Sequence, residues 1–137
     1  MDIEELRPWL VVIERDLRAA RNCLFGPEPT EEVACYHCQQ AAEKLVKVTL
    51  VHAECEVPFS HDIRALVALV PMQHPLRNHL VPLARFTPFA TAYRYPMDDP
   101  LGVPPTPCRE EVVKWVEAIA ATKVLFERSL ELPEDRE

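Results

Sequence analysis

Residues 30–54 read TEEVACYHCQQAAEKLVKVTLVHAE, and apolar residues recur along this stretch at alternating steps of three and four. Such spacing is typical of an amphipathic helix. We predict a helix from about Thr30, in the N-cap position, to about Glu54, with acids in its first turn. Its apolar stripe consists of Ala34, Cys38, Ala41, Leu45 and Val48. Because most of these residues are small, we expect a neighbouring helix to approach closely.

The segment before this stretch predicts another amphipathic helix. Its apolar positions follow the same spacing: Ile3, Leu6, Leu10, Ile13, Leu17, Ala20 and Leu24. Asp2 and Glu5 resemble a capping box. Pro8 lacks a backbone donor, which predicts either a bend at this position or a helix that begins there. The sequence Gly-Pro-Glu-Pro at 26–29 ends the helix.

The middle of the chain predicts two shorter helical segments. Ser-His-Asp at 60–62 resembles an N-cap and the first turn of a short helix, which Pro71 ends after about three turns. Helical spacing then returns between prolines. We therefore predict a proline-interrupted helix over about 76–90.

The last third of the chain predicts a loop and a closing helix. A long proline-rich loop is expected over about 91–106. Thr106 and Pro107 form a favourable N-cap and first helical position, from which the apolar spacing continues toward Leu130. The tail 131–137 is acidic, and we expect it to fray.

Together these elements predict an all-α fold: an antiparallel bundle of four to five helices with up-and-down topology and a long proline-rich loop before the last helix. The length of 137 residues fits a single domain, 1–137, and 48% hydrophobic residues supply its core. Only 2 glycines argue against a turn-dense all-β fold, and the hydrophobic content excludes a disordered chain.

Charge is distributed unevenly along the sequence. The net charge of -7 opposes general attraction to nucleic acid or to an anionic membrane. Between 57 and 97, however, Asp62 is the only acid, while arginines occur at 64, 77, 85 and 94. This asymmetry favours a confined anion site. The alternative is that these arginines form ion pairs with acids on the terminal helices.

The sequence also indicates a compartment. Acids follow Met1 where a secretory signal would carry bases, and no apolar run is long enough for a membrane span. Five cysteines are an odd number for a disulfide framework. We therefore expect a cytoplasmic protein with reduced cysteines and no membrane association.

Two pairs of potential zinc ligands, one near each end of the central helix, suggest a zinc site. Cys35 and Cys38 are one pair, and His52 and Cys55 are the other. Zinc ligands converge on one point, whereas positions 35 and 52 are about 25 Å apart along a continuous helix. We interpret these residues as packing residues. We expect neither a metal nor another cofactor, since P-loop and Gly-x-Gly-x-x-Gly motifs are also absent.

Polar residues within apolar stretches are the candidates for binding a phosphate. Gln40, Lys44 and Lys47 share one helix face at i, i+4 and i+7. Near His61 and Asp62, backbone amides at a helix N-terminus favour an anion. The structural alternative is that Lys47 pairs with the acid four residues before it and that His61 and Asp62 cap a helix.

The long loop contributes two further candidates. Arg94 is able to donate two parallel hydrogen bonds to a phosphate, and Tyr95 is able to stack on a base. The alternative is that this Arg-Tyr-Pro sequence holds the loop against the bundle by hydrogen bonds. We predict no catalytic residue in either segment.

Three motifs occur in order along the chain: ACYHCQQAAEKLVK at 34–47, SHDI at 60–63 and YRYP at 93–96. They resemble the QQAAEKxxK helix, the T/S-H-D-L turn and the (A/Y)RYP segment of the HEPN family (higher eukaryotes and prokaryotes nucleotide-binding). The resemblance covers most of the chain. It implies a helical bundle, frequently a homodimer, whose gene is often paired with that of a small nucleotidyltransferase in a toxin–antitoxin-like module.

Part of the HEPN family consists of metal-independent ribonucleases or toxins with an Arg-x(4–6)-His motif, and this sequence lacks that motif. Our leading hypothesis is a non-catalytic or regulatory dimer that binds a nucleotide or a nucleic-acid phosphate. One alternative is a metal-independent endoribonuclease with a divergent site, in which His61, His74 or His79 is the acid or base. The other is a structural adaptor without a small ligand.

Overall fold

The computed structural model describes residues 3–89 and 107–131, and every regular element within these ranges is helical. Its helices are α1 (Ile3–Phe25), α2 (Glu31–His52), α3 (Ile63–Ala68), α4 (Arg77–Leu80), a 3-10 helix (Val81–Phe86) and α5 (Arg109–Glu131). The predicted all-α bundle is confirmed. The loop predicted over 91–106 and the tail 132–137 lie outside the described residues.

The first long helix, α1, runs antiparallel to both α2 and α5, so α2 and α5 run in the same direction. Thr30 donates its backbone N–H to the carbonyl of Cys23, and further along α2 the side chain of His37 meets Asp16 on α1. Residues further along α2 therefore contact residues nearer the start of α1, so the two helices are antiparallel. Ion pairs from α1 to α5 follow the same rule, because Arg21 meets Glu117 whereas Glu14 meets Lys123.

The core lies where the apolar faces of the long helices meet, as the spacing predicts. The buried α1 residues are Leu6, Ile13, Leu17, Ala20 and Leu24. All five predicted stripe residues of α2 are fully buried, and α2 packs most extensively against α1. Small side chains on α2 allow this contact, since a helix approaches most closely where the opposing side chains are short.

Particular residues determine where the first two helices begin and end. α1 begins at Ile3 and continues through Pro8, whose missing donor falls in the first turns. At its end, a Cβ on Gly26 would lie only 2.9 Å from the carbonyl oxygen of Asn22, so a glycine is required there. Thr30 occupies the N-cap of α2, but its side chain makes no capping hydrogen bond.

The short elements differ from the sequence prediction in three ways. The N-cap of α3 is Asp62 and not Ser60, because the Asp62 carboxylate accepts the N–H of Ala65. α3 has only 6 residues. The helix predicted over 76–90 is instead one turn of α-helix followed by a 3-10 helix, since Pro82 has no N–H to donate within an α-helix.

The start of α5 is also later than predicted. The helix begins at Arg109, and the carbonyl of Cys108 accepts the N–H of Val112, so Pro107 precedes the helix instead of opening it. Phe86 of the 3-10 helix packs edge-on against Trp115 of α5, with ring centroids 5.2 Å apart. The short elements thus return the chain from the end of α2 to the start of α5.

Candidate functional site

A buried carboxylate on α2 joins three polar side chains. Glu43 lies among the apolar residues of α2, with 7% of its side chain exposed. One of its oxygens accepts a hydrogen bond from Gln39 Nε2 at 2.6 Å, and the other accepts one from Lys47 Nζ at 2.9 Å. His61 Nδ1 lies 3.1 Å from both oxygens. This carboxylate therefore connects the turn before α3 to α2.

The position of His61 leaves much of its ring accessible. Its side chain is 57% exposed, although its Nδ1 faces the buried Glu43 carboxylate. A carboxylate accepts hydrogen bonds and does not donate them, so Nδ1 carries the proton in the neutral ring. Nε2 is then free to accept a proton or to contact a ligand.

A line of hydrogen bonds continues from Glu43 along α2 to α1. Gln39 accepts from Gln40 Nε2 at 2.7 Å, and Gln40 accepts from Lys44 Nζ at 3.3 Å. Lys44 also donates to Asp16 Oδ2 at 2.7 Å. We give the name α2 polar row to the five side chains joined in this way: Glu43, Gln39, Gln40, Lys44 and Asp16.

His37 lies next to the α2 polar row, where the row reaches α1. Its Nδ1 lies 3.1 Å from Asp16 Oδ1, so that Asp16 contacts both His37 and Lys44. The row thus begins and ends with a carboxylate facing a histidine: Glu43 with His61, and Asp16 with His37. The connection is made entirely by side chains, mostly from α2.

Both carboxylates of the row are held in their charged form. Burial alone raises the pKa of Asp16, but hydrogen bonds from His37 and Lys44 outweigh it and hold this pKa below its ordinary value. Burial likewise raises the pKa of Glu43. Hydrogen bonds from Lys47, Gln39 and His61 again prevail, so the pKa of Glu43 is also lowered. Each carboxylate is therefore a stable negative partner for its lysine.

The structure brings most of the predicted site residues into one region. Gln40 and Lys44 belong to the α2 polar row, while Lys47 and His61 share the Glu43 carboxylate. Asp62 follows His61 and caps α3. The remaining two candidates, Arg94 and Tyr95, lie outside the described residues.

The two lysines do not act as free cations. Lys44 forms an ion pair with Asp16 at 2.7 Å, and Lys47 forms one with Glu43 at 2.9 Å. The structural alternative for Lys47, a pair at i, i+4, is therefore observed. Since each lysine meets one carboxylate, this part of α2 adds no net positive charge when the histidines are neutral.

The arginines of the basic middle segment behave differently. Within the described ranges, Arg64, Arg77 and Arg85 have no carboxylate at ion-pair distance. Arg77 Nε donates to the carbonyl of Val70, and Arg85 Nε donates to that of Pro82. The alternative that these three pair with acids on the terminal helices is wrong.

Sequence reasoning missed Asp16 as a member of the α2 polar row and His37 as its partner. A signal exists for Asp16, because it lies between Ile13 and Leu17 beside the apolar stripe of α1, where an acid requires a partner. Its partners, however, are 21 and 28 residues away. Only the packing of α1 on α2 reveals them.

The cysteines of α2 lie in the core. Cys35 and Cys38 are fully buried and form no disulfide. Burial raises the pKa of the Cys35 thiol to about 12, and it also raises the pKa of Cys38. Across residues 3–89 and 107–131, no group of three or more His, Cys, Asp or Glu is placed to hold a metal ion. The thiols thus pack as small apolar side chains.

A comparison with protein-family models tests the family membership that the motifs indicate. The model of the HEPN domain matches residues 8–129, which is most of the chain. The chain belongs to the HEPN family. In this HEPN protein the matched region contains α1 from Pro8 onward, the whole α2 polar row and the turn at His61.

Comparisons with individual proteins add information about the fold. The HEPN chain is similar to the crystal structure of TT1696 from Thermus thermophilus, with a TM-score of 0.60 and 23% identity, over 90% of this chain and 96% of that one. A search of curated proteins finds no significant match. Among the described helices of the HEPN protein, none is both long and apolar enough to cross a bilayer.

Proposed function

We propose that this HEPN protein is a non-catalytic or regulatory protein that binds the phosphate of a nucleotide or of RNA at the surface around His61. The observation that carries the proposal is the accessible His61 ring, which a buried carboxylate holds in place. An imidazole oriented in this way loses little additional conformational entropy when a ligand binds.

The charged groups around His61 already have partners within the protein. Lys47 is already paired with Glu43, and Asp62 adds an acid beside the turn. The exposed ring of His61 is therefore the part of this site that a ligand reaches.

The test is a titration of the protein with ATP, GTP and a short RNA, followed by the chemical shifts of the histidine rings. We expect saturable shifts of His61 and roughly tenfold weaker binding in His61→Ala. His79→Ala is the matched control, because His79 is exposed and its ring makes no hydrogen bond in the described structure. No shift of His61 at millimolar ligand, or an equal loss in both variants, would reject the proposal.

The pairing of His61 with Glu43 favours a second candidate function, a metal-independent endoribonuclease. A histidine oriented by a carboxylate is a common general base, and its Nε2 would accept the proton of a ribose 2′-hydroxyl. Incubation of total RNA with EDTA tests this candidate. Cleavage that His61→Ala abolishes and His79→Ala preserves would replace the non-catalytic assignment.

The proposal includes two assemblies that HEPN membership supports, a homodimer and a pair with a small nucleotidyltransferase in a toxin–antitoxin-like module. Sedimentation of the purified protein measures the first, with a mass of twice 15.7 kDa expected. Co-expression with the product of the neighbouring gene measures the second. A monomer at all accessible concentrations would remove the dimer from the proposal.

A further inference from the structure

A surface cavity separates α3 from the α4 and 3-10 helix segment. Its volume is about 320 Å³, near the lower end of the range for small-molecule sites. Six of the described residues line it: Arg64, Val67, Ala68, Arg77, Val81 and Ala84. The wall thus combines two arginines with four aliphatic side chains.

Among the described residues of this lining, the charged side chains are all arginines. Three other cavities on the described surface contain arginine or lysine together with acids: Glu14 and Glu127 line the first, Glu127 the second, and Glu110 and Glu111 the third. Among residues 3–89 and 107–131, no carboxylate lines the cavity between α3 and α4. In a protein with a net charge of -7, two arginines without acidic partners require an explanation.

The two guanidinium groups are available to a ligand. Arg77 is partly ordered in advance, because its Nε donates to the carbonyl of Val70 at 3.0 Å. This bond fixes the plane of the group and leaves its terminal nitrogens uncommitted. Arg64, in the first turn of α3, makes no side-chain hydrogen bond or ion pair with any described residue.

We propose that this cavity binds a phosphate monoester carried on an apolar or aromatic group. Two arginines match the charge of a phosphate monoester, which is about -1.5 to -2 at neutral pH. Guanidinium groups also fit the oxygens of a phosphate in bidentate geometry. The aliphatic wall formed by Val67, Ala68, Val81 and Ala84 contacts the organic part of the ligand.

The inference is independent of the function proposed above. Lys44, Lys47 and His61 do not line the cavity, and the two arginines belong to neither the α2 polar row nor its partners. A variant of one site therefore leaves the other intact. His61→Ala should bind a phosphate monoester in the cavity as the unaltered protein does.

Calorimetric titration with phenyl phosphate and with inorganic phosphate tests the ligand class. We expect phenyl phosphate to bind roughly tenfold or more tightly than inorganic phosphate, because its ring is removed from water against the aliphatic wall. Equal affinities would overturn the assignment of an apolar ligand body. An absence of heat and of chemical-shift changes with millimolar phenyl phosphate would overturn the site itself.

Arginine variants locate the binding. Arg64→Gln and Arg77→Gln should each weaken phenyl phosphate binding by at least roughly tenfold. Arg85→Gln is the matched control, since Arg85 also donates Nε to a backbone carbonyl but does not line the cavity. Arg64 has no contact that supports the fold, so Arg64→Gln remains informative if Arg77→Gln unfolds. Equal weakening in Arg85→Gln would show non-specific attraction and reject the site.

Discussion

At the scale of single residues, the main feature is a carboxylate buried in a helix with three donors around it. Glu43 accepts from Gln39, Lys47 and His61, and these bonds replace the water that a buried carboxylate loses. Its charge offsets that of Lys47 and orients His61 at the same time. Removing Glu43 abolishes both roles at once. The free energy of unfolding reports the first role, and ligand binding at His61 reports the second.

Glu43→Gln should destabilise the protein by about 1.5–3 kcal/mol, because Lys47 then lacks its charged partner. The free energy of unfolding in urea measures this loss. Glu127→Gln is the matched control: Glu127 also pairs with a lysine four residues away, Lys123, at 2.9 Å. The Glu127 carboxylate is more exposed than that of Glu43, and about 0.3–0.5 kcal/mol is expected for its pair. Similar losses in the two variants would contradict the importance of burial.

At the scale of elements, α3 depends on its contacts and on its cap. An isolated helix of 6 residues is not stable in water, since helices shorter than about 12 residues are marginal even in favourable sequences. Three residues of α3 are buried: Ile63, Leu66 and Val67. In addition, Thr87 Oγ1, directly after the 3-10 helix, accepts the N–H of Ile63. Both features position the turn at His61 and the first arginine of the cavity.

Asp62→Ala should cost about 1 kcal/mol, because the N–H of Ala65 loses its acceptor. Hydrogen exchange at the amides of α3 should accelerate before exchange in α2 changes, since the loss is local. Asp62→Asn should restore protection, as asparagine caps helices about as well as aspartate. Unchanged exchange in Asp62→Ala would mean that packing alone holds α3.

At the scale of the whole molecule, the two lowered carboxyl pKa values link stability to pH. Asp16 and Glu43 have ordinary values of 3.8 and 4.5, and both pKa values are lower in the folded protein. Groups of this kind contribute their full stabilisation above the ordinary values. The contribution is lost as the pH falls through the folded-state values.

Stability should therefore decrease as the pH is lowered from about 5 to about 3, and this decrease should be smaller in the double variant Asp16→Asn with Glu43→Gln. Urea midpoints measured at several pH values give the slope. The double variant is less stable at neutral pH, so the comparison concerns the slope and not the absolute value. Identical slopes would assign acid denaturation to other carboxylates.

How much the sequence predicts differs between these scales. The three long helices follow from hydrophobic periodicity, and α2 is predicted to within about two residues at each end. Periodicity succeeds there because it depends on neighbours in the chain. It fails over 76–90, where the spacing is helical but Pro82 converts one expected helix into an α-helical turn and a 3-10 helix.

The sequence by itself determines the all-α class and the buried faces of α1 and α2. The tertiary structure decides which charge meets which. Lys44 and Lys47 share a helix face, yet one bonds Asp16 on α1 and the other bonds Glu43 within α2. The tertiary structure also places the arginines of α3 and α4 beside an apolar wall, with no acid lining that cavity in the described part of the chain. The physical reason is range: helix periodicity is local, whereas ion pairing depends on packing between helices.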